Sequence, residues 1–197
     1  MKLVKPAVLF QQVLKRGATK QGRLLGLDVG SKYVGLAVSD DHCKIASPFS
    51  VLERTKKNID IMAKDFQMLV AEFSLAGFVV GYPFNIQGQS KVDTVQVKLF
   101  IEDLRKTSVL DGVSYTYWDE NYTSRCVETL LEPLDINPVD AKTIMDKFAA
   151  VGILQVLQID QCRKHSCRRL LTKFFKFQGY LDNMNRSLVS EDLDPEE

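Results

Sequence analysis

The chain has 197 residues, 45% of them hydrophobic, and a formal net charge of +1. That is enough apolar material for one domain with a sizeable core, and the near-neutral balance excludes a global field strong enough to gather nucleic acid or a membrane surface. No run approaches the roughly 18 apolar residues of a membrane span. The four cysteines, Cys43, Cys126, Cys162 and Cys167, form no regular framework and read as the reduced thiols of an intracellular, most simply cytoplasmic, protein with no membrane partner.

Charge is local rather than global. Met1 to Arg23 carries six Lys/Arg and no acid, so residues 1–22 read as a basic N-terminal arm; the alternative is a leader for a chloroplast or mitochondrion, against which stand the absence of Ser and the presence of only two Arg. Leu24 to Val29 (LLGLDV) is a short apolar run of the kind a buried strand shows, Gly30 is a turn signal, and Tyr33 to Val38 (YVGLAV) is a second strand, the two forming a hairpin. Ile45 to Leu52 is expected as a third strand, with Pro48 pointing to an edge or a bulge.

Ile59, Met62, Phe66, Leu69 and Phe73 recur at spacings of 3, 4, 3 and 4, one face of a helix that Gly77 is expected to stop. Phe78 to Val80 is a compact strand leading into the loop GYPFNIQG. Ser90, with Asp93 three residues on, can cap a helix whose apolar face would be Val92, Val95, Leu99 and Leu104. Val113 to Trp118 (VSYTYW) reads as a further strand. A short helix is expected from Thr123 or Ser124 to about Leu131, and a long one from Val139 to about Gln158 with Ile144, Phe148, Val151 and Leu154 apolar. Three strands followed by alternating helix and strand predict an α/β fold: a mixed central sheet with a three-strand antiparallel start, flanked by helices.

Three acids stand out by context. Asp28 interrupts an apolar strand, where a carboxylate costs several kcal/mol unless paired or bound to a metal. Glu120, with Asp119 beside it, follows the last strand. Asp146 precedes Phe148-Ala149-Ala150, whose two alanines would let a helix approach the sheet closely. Carboxylates gathered at one point repel one another, and oxygen-preferring Mg²⁺ or Mn²⁺ relieves that repulsion. Two such ions about 4 Å apart can clamp both oxygens of a phosphodiester displacement. Spacing alone leaves open whether these acids are gathered or merely solvated.

The stretch LLGLDVGSKYVGLAVSD resembles the opening motif of the YqgF-type family, the Holliday-junction-resolvase-like and pre-16S rRNA nucleases of the RNase H-like superfamily. FVVGYPFNIQGQ resembles its Gly-x-Pro-x-Asn-x-x-Gly loop, WDENYTS its Asp-Glu-Arg block and IMDKFAAVGILQ its Asp-x-x-Ala-Ala helix, in the same order over roughly Arg23 to Gln155. The resemblance implies an RNase H-like fold over residues 23–155 and a metal-dependent endonuclease with Mg²⁺ or Mn²⁺ held by Asp28, Glu120 and Asp146, Asp119 being the weaker choice for the second acid. On it, Lys32 falls where the family has a basic residue able to contact phosphate, with a solvated turn lysine as the plain alternative. Gly81, Pro83, Asn85 and Gly88 match the loop, either as backbone donors to the substrate or as a structural turn. The implied task is 5′-end processing of precursor 16S-type rRNA; the alternatives are resolution of branched DNA, which a homodimer would suit, and nucleic-acid binding or ribosome assembly with little catalysis.

Two departures bear on this. Asn121 replaces the usual Arg after Asp-Glu, removing a bidentate phosphate fork that Arg125 would have to supply. Family sequences also read Ile-Leu-Gln, one residue, then Tyr-Leu, whereas Ile153-Leu154-Gln155 is followed here by Val156 to Gln178 before Gly179-Tyr180-Leu181. Removing residues 156–178 restores the pattern, and codons for Val and for Phe-Gln can carry GT and AG intron borders, so this basic segment reads as an insert of the retained-intron kind. Its Cys162, His165 and Cys167 match no zinc spacing, and residues 179–197 read as a flexible tail, acidic at its end.

Overall fold

Near-continuous apolar runs, buried on both faces, build the centre of the sheet. The computed structural model describes residues 1–16, 22–55, 57–84, 91–119, 147–158 and 160, all inside the unit Met1–Gln161. In chain order these form β1 (Lys2–Leu3), α1 (Pro6–Arg16), β2 (Arg23–Val29), β3 (Tyr33–Ser39), β4 (Ala46–Glu53), α2 (Ile59–Glu72), β5 (Leu75–Tyr82), α3 (Lys91–Lys106), β6 (Ser114–Asp119) and a helix over residues 147–158, here α4. The six strands lie in the order β1-β6-β5-β2-β3-β4. β2, β3 and β4 are antiparallel, while β5, β6 and β1 extend the sheet with parallel pairings. An antiparallel meander running into parallel strands is the RNase H-like arrangement.

One face carries Leu25, Leu27, Val29, Phe78, Val80 and Tyr115, packed against Met62 and Phe66 of α2 and Val97, Phe100, Ile101 and Leu104 of α3. The opposite face is covered by α1 and α4, and there the sheet has glycine where the helices come closest. A Cβ at Gly77 would lie 2.7 Å from Leu9 Cδ1 of α1 and 2.3 Å from the Ser114 carbonyl oxygen; one at Gly26 would lie 2.8 Å from the Ala150 carbonyl oxygen and 2.9 Å from Leu154 Cβ of α4.

Several expectations change. Residues 1–16, expected as an arm, add a parallel edge strand to β6 and an amphipathic helix whose Leu9, Phe10 and Val13 are buried. Gly77 does not stop α2; the helix is capped at Phe73, Ser74 turns the chain at φ +51, and Gly77 lies inside β5. The buried stripe of α3 is Val97, Phe100, Ile101 and Leu104, an i, i+3, i+4, i+7 set, whereas Val95 and Leu99 face solvent at 51% and 53% exposure. The third strand behaves as expected: β4 is an edge strand, and its register shifts between Leu36 and Ala37, opposite Pro48. The expected helix at 123–131 and the first part of the long one lie outside the described residues.

The β2–β3 turn is tied down by Arg54. Its backbone N–H donates to the Lys32 carbonyl at 2.6 Å. Its guanidinium donates to the Gly30 carbonyl at 3.0 Å and to the Gln96 carbonyl of α3 at 3.3 Å, and stacks 5.0 Å from the centre of the Phe100 ring. Burial lowers the Arg54 pKa, the nearby Asp103 partly offsetting it. A planar fork stacked on a ring is something lysine cannot reproduce. Arg54→Lys is therefore expected to keep the fold, cost about 1 kcal/mol and speed amide exchange at Gly30 and Arg54 relative to β5; unchanged exchange would show that the clamp does not hold the turn. Gly26→Ala is expected to cost about 1–3 kcal/mol through overpacking, seen as a melting point several degrees lower.

Candidate active site

The carboxyl ends of β2, β5 and β6 lie together at one end of the sheet, because the three strands run parallel. Asp28 sits there, half-buried, opposite Gly35 of β3 and one residue beyond the Leu27–Val80 pair with β5. Alternation puts it on the face of Gly26, the face that α4 covers. Its carboxylate therefore projects from the apolar sheet towards the helical layer rather than into the α2–α3 core.

α4 runs antiparallel to β2. Gly26 contacts it between Ala150 and Leu154, while Gln155 reaches the opposite end of the sheet: its side-chain oxygen accepts from the Ala46 N–H at 3.0 Å and its amide donates to the Lys44 carbonyl at 3.0 Å. From the Gly26 contact back to Lys147 is about five helical residues, ~7 Å, and from Gly26 forward to Asp28 is two strand residues, also ~7 Å. The described start of α4 is thus level with Asp28, held there by the buried Phe148, Ala149, Ala150 and Val151.

Asp119 is the last residue of β6 and pairs with Tyr82. It shares a face with Tyr115 and Tyr117, the face of α3. Two strands, about 10 Å, lie between its backbone and that of Asp28, and alternation puts the two residues on opposite faces of the sheet. Lys32 is exposed in the β2–β3 turn. Gly81 lies inside β5 beside Trp118, and the Pro83 carbonyl accepts from Thr94 Oγ1 at 3.4 Å. Asn85, Gly88, Glu120, Arg125 and Asp146 lie outside the described residues. Among the described residues no group of three or more His, Cys, Asp or Glu side chains is placed to hold a metal, and no helix is long and apolar enough to cross a membrane.

Sequence reasoning passed over an aromatic row on the α3 side of the same sheet end. Phe84 meets Tyr82 edge-on at 4.8 Å between ring centres, Tyr82 lies 4.8 Å from Tyr117, and Tyr117 lies 5.6 Å from Tyr115. Lys98 Nζ stands 5.6 Å from the Tyr82 ring. Burial, and then the neighbouring Tyr115, pushes the Tyr117 phenol well above the ordinary tyrosine range, so it stays protonated. The available signal was period-two spacing, Tyr82 with Phe84 and Tyr115 with Tyr117, on two strands ending together. A cavity of about 680 Å³ opens beside the Arg54 clamp, between Ile59 and Asp60 of α2 and Gln96 and Asp103 of α3. Its lining balances Arg54 and Lys106 against Asp60 and Asp103, which gives no preference for a polyanion.

Comparison with known proteins converges on the same segment. A family described as "RuvX: Holliday junction resolvase" matches residues 22–158. A protein named "Putative pre-16S rRNA nuclease" from Zymomonas mobilis subsp. mobilis is 33% identical over 147 residues, covering 75% of this chain and 84% of its own length. One of the same name from Beijerinckia indica subsp. indica is 34% identical over 136 residues, covering 68% and 78%. A third, from Paramagnetospirillum magneticum, is 32% identical over 160 residues, covering 80% and 95%. Among solved structures, T. thermophilus RuvC in complex with Holliday junction substrate is 13% identical, covers 74% of this chain and 96% of its own, and has a TM-score of 0.46. Matched from the strand before Asp28 to the last turn of α4, the chain belongs to the RuvX family.

Proposed function

We propose that the chain is a divalent-metal-dependent endonuclease that trims the 5′ end of precursor small-subunit rRNA, with Asp28, Glu120 and Asp146 holding Mg²⁺ or Mn²⁺. The observation that carries this reading is the seating of α4: its described start is level with Asp28 on the same face of the sheet, and Asp146 is the residue immediately before it in the chain. Strand parity counts against Asp119, which faces α3 rather than the face of Asp28, and so leaves Glu120 as the favoured second acid. Three carboxylates are hard oxygen donors, the set that Mg²⁺ and Mn²⁺ accept. When bound, such ions supply charge neutralisation at the phosphate and a lowered pKa for an attacking water.

The protein's own part is positional. Asp28 is fixed by ladder pairing on both sides of β2, so its oxygens need little reorganisation to meet an ion. The Arg54 clamp fixes the turn that presents Lys32, an exposed cation two residues past Gly30, to a phosphate approaching the sheet end. The names of the curated relatives favour precursor rRNA as substrate. The description of the matching family favours branched DNA as the second reading, in which a homodimer would present two sites. Binding with little cutting remains the third, because Asn121 lacks a fork for phosphate.

The Val156–Gln178 segment is read as dispensable for this activity. Gln158 is fully buried at the end of α4, and both polar atoms of its amide lack a hydrogen-bond partner among the described residues. Such an amide costs about 1–3 kcal/mol. Joining Gln155 to Gly179 would set Leu181 three positions after Gln155, where Gln158 now stands, and replace that amide by an apolar side chain.

Two outcomes are expected. In cleavage assays with Mg²⁺ or Mn²⁺ on precursor rRNA, a four-way junction and single strands, wild type cuts the rRNA, and Asp28→Asn loses more than about 100-fold in rate, beyond the 10–100-fold typical of groups that merely support a ligand. Millimolar Mn²⁺ raises the melting point of wild type but much less that of Asp28→Asn; binding without cutting on every substrate would instead favour the assembly reading. A chain lacking residues 156–178 is expected to melt higher and to cut as well as the full chain; a lower melting point would make the segment part of the working fold.

A further inference from the structure

We infer that Phe84, backed by Tyr82 and flanked by Lys98, is a stacking platform for an unpaired nucleobase of the substrate, so that the protein selects strands that are single or splayed beside the cut. The inference rests on the nucleic-acid reading above, and it names a recognition element on the other side of the sheet end from Asp28. Phe84 is 47% exposed, and no aromatic ring among the described residues is more so. Exposing a phenyl ring forfeits burial worth about 1.5–3 kcal/mol, and this one sits at the tip of the central parallel strand.

Its orientation is determined rather than loose. The Phe84 and Tyr82 rings are 4.8 Å apart at 65°. Tyr82 is held in turn by Tyr117 at 4.8 Å and 47°. The Pro83 carbonyl between them is tied to Thr94 of α3. A ring fixed from behind with one part in solvent suits a flat, sequence-tolerant π-partner, because every base has a π-face. Lys98 is exposed on α3 and its ammonium group stands beside Tyr82. That places a phosphate-seeking charge next to the ring, the interleaving of cation and aromatic that single-strand binders use.

The spacing fits a strand passing the proposed carboxylate site. Asp28 stands about one strand spacing, ~4.8 Å, from Gly81, and Phe84 is three residues further along, at most ~10 Å. The two Cα atoms are therefore within about 11 Å, some three stacked nucleotides at ~3.4 Å each. A continuous duplex keeps its bases stacked and offers none to the ring, whereas a single strand, a loop or a junction arm offers one at little cost.

The test measures binding in Ca²⁺, scored apart from cutting, to a labelled single-stranded RNA, a single-stranded DNA of the same sequence and a fully paired duplex. Phe84→Ala is expected to weaken single-strand binding about tenfold and leave duplex binding within about twofold, while Phe84→Trp retains wild-type affinity. Lys98→Ala is expected to lower the slope of log affinity against log salt by about one. Wild-type single-strand affinity in both Phe84→Ala and Phe84→Leu, or equal loss for single strand and duplex with the melting point unchanged, would overturn the platform. A wild type that binds single strands through Phe84 yet cuts nothing overturns the nuclease reading and leaves the platform standing. One that cuts while Phe84→Ala binds normally does the reverse.

Discussion

How closely a helix can lie on the sheet decides what the carboxyl end of β2 can do. Gly26 removes the one side chain that would hold α4 away, and Ala150 presents its backbone at that point, so helix and strand meet with almost no side chain between them. A Cβ placed 2.8 Å from a carbonyl oxygen would have to push the helix outward. The displacement would be felt most at Asp28, two residues along. Divalent ions tolerate little: Mg²⁺ wants oxygens at about 2.0–2.1 Å in near-octahedral array. On the proposed metal site, a lift of even an ångström at α4 would disturb the setting of Asp28 by more than such an ion tolerates. Glycine here is thus a constraint on chemistry as much as on packing.

Strand parity is the second constraint. Because successive side chains on β6 face opposite ways, Asp119 shares the α3 face with Tyr115 and Tyr117, away from the face of Asp28. Asp28 escapes the apolar core for the same reason. Leu25, Leu27 and Val29 take the α2–α3 face, which leaves Asp28 with Gly26 on the face that, among the described residues, α1 and α4 cover. An acid inside an apolar run is tolerable when parity turns it away from the main core.

Much of this was legible before any coordinates. Ile59, Met62 and Phe66 announced α2, short apolar runs announced β2, β3 and β5, and a β-rich run announced β6, because each of these strands is buried against helices. Asp28 stood out as a lone acid inside an apolar strand, and the resemblance gave it an implied role. What failed did so for physical reasons. The two-residue β1 is too short to carry a period, and it exists only because β6 offers an edge. On α3, Val95 and Leu99 fit an apolar spacing yet face solvent, because apolar residues also occupy exposed positions, and the buried stripe is displaced from them around the helix. Gly77 looked like a helix stop because glycine punctuates helices, but its role is close approach of α1 inside a strand. Ser74, with positive φ, does the stopping. Whether Glu120 and Asp146 gather at Asp28 is not a matter sequence spacing can decide, and both residues lie outside the described parts of the chain.

The two faces of the sheet end divide their labour. On the α4 side the chain offers a carboxylate, which repels a phosphate unless a cation intervenes. On the α3 side it offers aromatic rings and Lys98, which attract a nucleotide without one. A strand of nucleic acid crossing the carboxyl ends of β2 and β5 would meet attraction first and the carboxylate within a few nucleotides. The sequence of events follows from charge alone. Under the proposed metal-dependent chemistry, binding would precede metal loading, and affinity would depend on metal less than cutting does. The Arg54 clamp belongs to the same logic: it sits at the β2–β3 turn, and its guanidinium is engaged by the Gly30 and Gln96 carbonyls. It therefore acts on the substrate only through the position of the turn.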